Sequence, residues 1–286
     1  MNIYKYFLRP SKNLRLLGHW AVVTGATDGI GKAYAMRLAS KGINIVLISR
    51  TDSKLQAVKS EIQAKYSNVE VKTVVCDYSN FDEAARKKVK SAVGELDIGV
   101  LVNNVGVSYE YPKRFSDLSS SEVSDLMEMN VSSTTWMTHM VLPGMLSRRR
   151  GAIVNLGSSA GVHTMPLLAA YSASKGYVAM LSRGLSSELS GTGVTVSCQT
   201  PFYVKSKLSK MRAGFTVPTP EAYAKMGLGW IGFEGDAVTN PFWVHGVMSW
   251  FLDAAPAAIV DKQVLSMHRA IQKRAEKKKA EATKKE

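Results

Sequence analysis

From residue 20 to about residue 200 the chain alternates between two hydrophobic periods. "WAVVTG" (20–25), "INIVLIS" (43–49), "VEVKTVV" (69–75), "IGVLVNN" (98–104), "GAIVNLGS" (151–158) and "GVTVSCQ" (193–199) are short, rich in Val and Ile and nearly continuous in apolar character, which predicts strands buried on both faces. Between them lie "IGKAYAMRLASKG" (30–42), stopped by Gly42, "SKLQAVKSEIQAKY" (53–66), "DEAARKKVKSAV" (82–93), a long stretch at 121–145, and one that opens with "AAYSASKGYVAM" (169–180). These carry helical spacing. Near-continuous strands separated by helices predict a single α/β domain: a doubly wound, Rossmann-type, mostly parallel sheet of six or seven strands with helices on both faces.

After Pro201 the alternation breaks. "FYVKSKLSKMRAGFTVPTPEAYAKMG", with Pro218 and Pro220 as breakers, reads as a mobile flap over a cleft at about 201–230. The chain thus divides into an N-terminal extension (1–19), the α/β domain (20–260) and a basic helical tail (261–286). No internal repeat or linker marks a second domain.

Hydrophobic residues make up 45% of the 286, enough for a large core, and the net charge of +14 suits a phosphorylated ligand or anionic lipid. In "HRAIQKRAEKKKAEATKKE" eight Lys or Arg face three Glu, as in a solvated helical tail, and nucleic acid is not the expected partner. Cys76 and Cys198 each adjoin a buried-strand pattern and read as core thiols of a reducing compartment. The five histidines are scattered without metal-ligand spacing, so no metal site is expected. Charges at Lys5, Arg9, Lys12 and Arg15 interrupt any signal peptide. The uncharged stretches 151–174 and 237–252 contain too many polar or breaking residues to span a membrane, although the second, rich in aromatics, suits contact with a membrane surface.

The candidate chemistry gathers at the predicted carboxyl ends of the strands. "VVTGATDGIGKA" puts Gly25, Gly29 and Gly31, with Thr27, Asp28 and Ile30 among them, between the first strand and first helix, where backbone N–H groups and a helix N-terminus favour a phosphate. Arg50 ends the second strand, where an acidic residue would select NAD, so a 2′-phosphate and hence NADPH is the expected cofactor. Asp77 ends the third strand within reach of an adenine amino group, and "NNVG" (103–106) brings Asn104 and Gly106 to the central crevice. On the helix opening at 169, Tyr171 and Lys175 are four apart and share a face. A neighbouring ammonium is expected to lower the tyrosine pKa, making it an acid catalyst.

"TGATDGIG", "NNVG" and "YSASK" together resemble the cofactor loop, mid-sheet motif and Y-x-x-x-K motif of the short-chain dehydrogenases/reductases, in the right order. "VLISR", "LVNNVGVSYEYP", "LPGM" and "GAIVNLGSSAG" are similar to the branch that holds the very-long-chain 3-oxoacyl-CoA reductases and 17β-hydroxysteroid dehydrogenases, over about 20–208. The resemblance implies catalytic roles for Tyr171, Lys175, Ser158 and Asn130. Tyr171 would donate the proton, Ser158 would hold the ketone oxygen, Lys175 would also bond the nicotinamide ribose, and Asn130 would position a water that returns a proton through the lysine. Ser159 competes with Ser158 for its role. Phe202, where the general family has glycine, fits the reductase branch.

The resemblance therefore implies NADPH-dependent reduction of a 3-oxoacyl-CoA to a 3-hydroxyacyl-CoA in fatty-acid elongation. A steroid or other hydrophobic alcohol is the alternative substrate, and a non-catalytic tethering protein the alternative class. A homodimer is expected from the family. That branch usually carries a longer apolar anchor before its glycine loop than the chain ahead of Thr24 supplies. The expectation is therefore peripheral attachment to the cytosolic face of the endoplasmic reticulum through 242–251 and the basic tail, with a cytoplasmic protein as the alternative. The final "TKKE" partly resembles a dilysine retrieval signal.

Overall fold

The computed structural model describes residues 3–283; the last three residues of "TKKE" lie outside the described residues. Seven parallel strands form one sheet in the order β3-β2-β1-β4-β5-β6-β7. They are β1 (Trp20–Thr24), β2 (Asn44–Ser49), β3 (Val71–Val75), β4 (Ile98–Asn103), β5 (Gly151–Leu156), β6 (Val194–Gln199) and β7 (Val238–Thr239). The order reverses between β1 and β4, opening a crevice at their carboxyl ends, where ligands bind in such sheets.

Alternation along each strand splits the core in two. Ala21 and Val23 of β1 pack with α1 (Gly29–Ala39), α2 (Asp52–Lys65) and α7 (Pro220–Leu228), while Val22 faces α3 (Glu83–Val93) and α5 (Ser133–Ser147). With both faces covered, every residue of β1, β4 and β5 is buried, which is why these strands read as unbroken apolar runs. The long stretch expected at 121–145 is helical but not uniform. A seven-residue α4 (Ser120–Leu126), started by a Ser119–Glu122 capping box, passes through a π-helical turn at Met127–Ser132 into α5. The remaining helices are α6 (Ala169–Glu188), α8 (Trp243–Ala254) and α9 (Ala257–Thr283).

Three expectations for the periphery change. The flap is shorter than 201–230: only 205–216 is exposed or half-buried throughout, and Thr219 then caps α7, whose Tyr223 and Ala224 are fully buried against the α1 side of the sheet. Pro220 does not break the structure there; at a first-turn position its missing N–H costs nothing. The tail helix starts at Ala257 and is not wholly solvated, since Val264 and His268 are buried and His268 Nδ1 donates to the Pro166 carbonyl at 2.6 Å. The N-terminal extension docks too: Arg9 pairs with Asp236 at 2.7 Å, and Tyr6 donates to the Asn240 carbonyl. Among the described residues, no helix is long and apolar enough to cross a membrane. Both cysteines are free and buried.

Candidate active site

A cavity of about 340 Å³ opens at the carboxyl ends of β1, β2, β3 and β4. Gly25, Thr27, Asp28, Gly29, Ile30, Arg50, Asp77, Asn104 and Gly106 all line it. Gly31 lies behind it, buried. The loop is clamped by Asn104, whose Nδ2 donates to the carbonyls of Thr24 and Gly25 at 3.1 and 3.2 Å. A Cβ at Gly31 would stand 2.4 Å from that nitrogen, so the close approach demands glycine. Asp28 caps α1 through the Gly29 N–H and pairs with Lys207 of the flap at 3.1 Å. Asp77 spends one carboxylate oxygen on the N–H and hydroxyl of Ser79, leaving the other for a ligand. Thr27 and Ser49 share a hydrogen bond at 3.1 Å, and Arg50 is exposed beside them.

Gly106 joins this cavity to the residues on α6. A side chain there would meet Asn130 Oδ1 at 2.9 Å and Lys175 Nζ at 3.0 Å. Lys175 is buried and donates to the Leu156 carbonyl at 2.9 Å, at the end of β5. Tyr171 is half-buried one turn earlier, with its phenol close enough to the Ser158 hydroxyl to feel it electrostatically. Ser158 also accepts from the Ala160 N–H, in the turn Ser159–Gly161. Its competitor Ser159 is buried, with its own N–H on the Pro201 carbonyl, so the structure turns Ser158 toward the tyrosine.

One electrostatic expectation needs correction. The Tyr171 phenol is raised above its ordinary value, not lowered: burial disfavours phenolate, the Ser158 hydroxyl opposes it less strongly, and the nearby Tyr203 phenol adds to the rise. Burial also pulls the Lys175 ammonium down, to about 8, which leaves it still largely charged at neutral pH. Asn130 is held by bonds the motif does not reveal. Fully buried on the π turn, it accepts from the Val107 N–H at 2.8 Å and donates to the Val107 carbonyl and to Ser174 Oγ, so its side chain ties the turn to the loop after β4 and to α6. Wide turns of this kind recur at functional sites.

Several supporting residues carry no motif. Ser174 passes the bond from Asn130 on to the Tyr171 carbonyl at 2.7 Å. The Tyr109 hydroxyl accepts from the Ala170 and Tyr171 N–H groups, capping the start of α6. Gly161 lets the turn after Ser158 approach the Lys175 backbone, where a Cβ would lie 2.5 Å from its carbonyl. His245, fully buried, accepts from the Phe202 N–H at Nδ1 and donates from Nε2 to the Thr216 carbonyl, tying both ends of the flap. The only sequence signal for these was polar residues inside apolar runs.

The short chain dehydrogenase family matches residues 19–214. A very-long-chain 3-oxoacyl-CoA reductase of Aspergillus terreus is 41% identical over 284 residues, covering 95% of this chain and 80% of its own length. The Danio rerio protein of that name, form B, is 44% identical, covering 88% and 80%. Among solved structures, a 7β-hydroxysteroid dehydrogenase superposes with a TM-score of 0.73 at 26% identity, and a Sphingobium yanoikuyae short-chain dehydrogenase in complex with NADPH with 0.71 at 27%; each comparison covers 84% of this chain and 94% of the other.

Proposed function

Starting from a chain that belongs to the short-chain dehydrogenase family, we propose that this protein reduces a 3-oxoacyl-CoA to the 3-hydroxyacyl-CoA with NADPH, as a step in fatty-acid elongation. The observation that supports the reading is the position of Asn130 and Lys175 against Gly106, which lines the cavity, with Tyr171 one turn from Lys175 on the same helix and near Ser158. The names of relatives that match nearly the whole chain support the substrate class.

The cavity fits the cofactor on its own chemistry. The loop at Gly25–Gly31 offers N–H groups, Arg50 offers a guanidinium for a 2′-phosphate, and Asp77 keeps an acceptor for the adenine amine. NADPH bound there supplies a hydride to the ketone carbon. Tyr171 holds its proton at neutral pH, as its raised pKa requires, and gives it to the ketone oxygen as negative charge develops there. Ser158 donates a hydrogen bond to the same oxygen. Lys175, one turn along the same helix and anchored on the Leu156 carbonyl, keeps a positive charge near the phenol that is to be reprotonated.

The protein acts at the cytosolic face of the endoplasmic reticulum as a peripheral protein, with the exposed Trp250 and Phe251 of α8 available for membrane contact. It works as a homodimer through α5 and α6, whose Trp136, Tyr177 and Met180 are exposed. The test is NADPH consumption with 3-oxoacyl-CoA substrates of several lengths, repeated with NADH and with a steroid ketone. Faster turnover of the steroid, or of NADH, would overturn the substrate or the cofactor.

A further inference from the structure

A second cavity, of about 800 Å³, lies between α1, the end of α2 and the flap, separated from the cofactor cavity by residues they share: Asp28, Gly29, Ser206 and Lys207. Resting on the acyl-CoA reading above, we propose that this groove binds the phosphate-rich nucleotide end of the coenzyme A thioester.

Charge is the first reason. Six basic side chains from three elements converge on the groove: Lys32 and Arg37 from α1, Lys65 from α2, and Lys205, Lys207 and Lys210 from the flap. Three carboxylates accompany them, and their neutralisation is uneven. Glu61 takes both Lys32 and Lys65, at 2.6 and 3.1 Å, and Asp28 takes Lys207. Arg37, Lys205 and Lys210 make no ion pair among the described residues. Like charges gathered in a concave site raise the local potential, and a multiply charged anion relieves it. Arg37 adds a planar fork suited to phosphate.

Shape and position are the second. Tyr66, Met36 and Met211 give the groove apolar surfaces for a purine beside the cations. The flap leads there from the reacting centre, since Tyr203 neighbours the Tyr171 phenol and Lys210 follows seven residues later. Even fully extended, that stretch spans at most roughly 25 Å. A long, flexible pantetheine tether suits such a separation between thioester and phosphates. The shared Asp28–Lys207 pair makes this groove a neighbour of the NADPH site and not part of it.

The test compares one acyl group on two carriers, acetoacetyl-CoA and acetoacetyl-N-acetylcysteamine, in the wild type and in Arg37→Ala/Lys205→Ala/Lys210→Ala. The expected result is a KM for the CoA thioester raised roughly ten-fold in the variant, with the truncated thioester unaffected. Added salt should raise the wild-type KM for the CoA thioester alone. Equal shifts for both carriers, or none, would overturn the proposal. Lys210→Glu, a single exposed change, should move the CoA value in the same direction if the triple variant folds poorly. If the wild type reduces neither thioester, the reaction assignment fails, and the groove is judged by calorimetric binding of free coenzyme A at saturating NADP. Loss of that binding in the variant supports the site. Unchanged coenzyme A binding, or loss only of binding to phosphatidylserine vesicles, refutes it.

Discussion

Around Asn130 and Lys175 nearly every polar atom is committed to another part of the protein, whereas across the cleft the 205–216 run bonds mainly within itself. On the first side Asn130 joins Val107 and Ser174, Ser174 joins Tyr171, Tyr109 caps α6, and Lys175 joins β5. On the second, Ser206 and Ser209 bond each other, Gly214 and Val217 form a small bridge, and Phe215 is 74% exposed. The contrast is functional. Proton transfer tolerates little positional error, so its residues are held by buried bonds. Few bonds tie the 205–216 run to the core, the signature of low local stability.

If the rigid side carries the chemistry, the largest effect comes from removing the Tyr171 phenol proton. Tyr171→Phe should cut ketone reduction by about 10²–10⁴-fold while leaving NADPH affinity and thermal stability nearly unchanged. Retention of most activity in a kinetic assay would remove Tyr171 as the acid. Asn130→Ala should cost about 2–4 kcal/mol of folding stability, because it strands the Val107 N–H and C=O and the Ser174 hydroxyl in a buried place. Denaturant unfolding measures this, and a loss below about 1 kcal/mol would mean that water replaces the side chain.

Lys175→Met tests the same side by pH. The folded lysine titrates near 8, below its unfolded value, so the unfolded chain binds more protons between about pH 8 and 10. Below pH 8 the native state bears the full cost of burying the charge, and this cost disappears as pH rises through that window. The ligand-free Lys175→Met protein should therefore be more stable than wild type at pH 7 and lose the advantage by about pH 10. A difference independent of pH would show that the ammonium is not suppressed. Arg50→Ala should raise the KM for NADPH about ten-fold and leave that for NADH alone. At the loose side Phe215→Ser should change unfolding stability by less than about 0.5 kcal/mol, and a larger loss would show that the flap is part of the core.

Much of this plan was legible beforehand. Buried parallel strands write themselves as unbroken Val and Ile runs, so β1 to β6 were visible; β7 has two residues, too few for a period. The glycine loop, Arg50, Tyr171 and Lys175 were visible because each sits at a fixed offset from a strand end or a helix turn. Tyr109, Ser174, Gly161 and His245 were not, because their partners are close in space and far along the chain. The flap is shorter than its composition suggests for a related reason: Pro220 looks like a breaker until Thr219 and the α1 face show that it begins a packed helix.

By itself the sequence determined the sheet, the order of its helices and the candidates for the reacting side chains, since local periodicity and spacing are short-range properties of the chain. Only the tertiary structure decided the direction of the Tyr171 shift, the employment of Asn130 and the docking of the tail helix on Pro166. Desolvation and hydrogen-bond partnership depend on what surrounds a group, and that is set when segments from distant parts of the chain pack together.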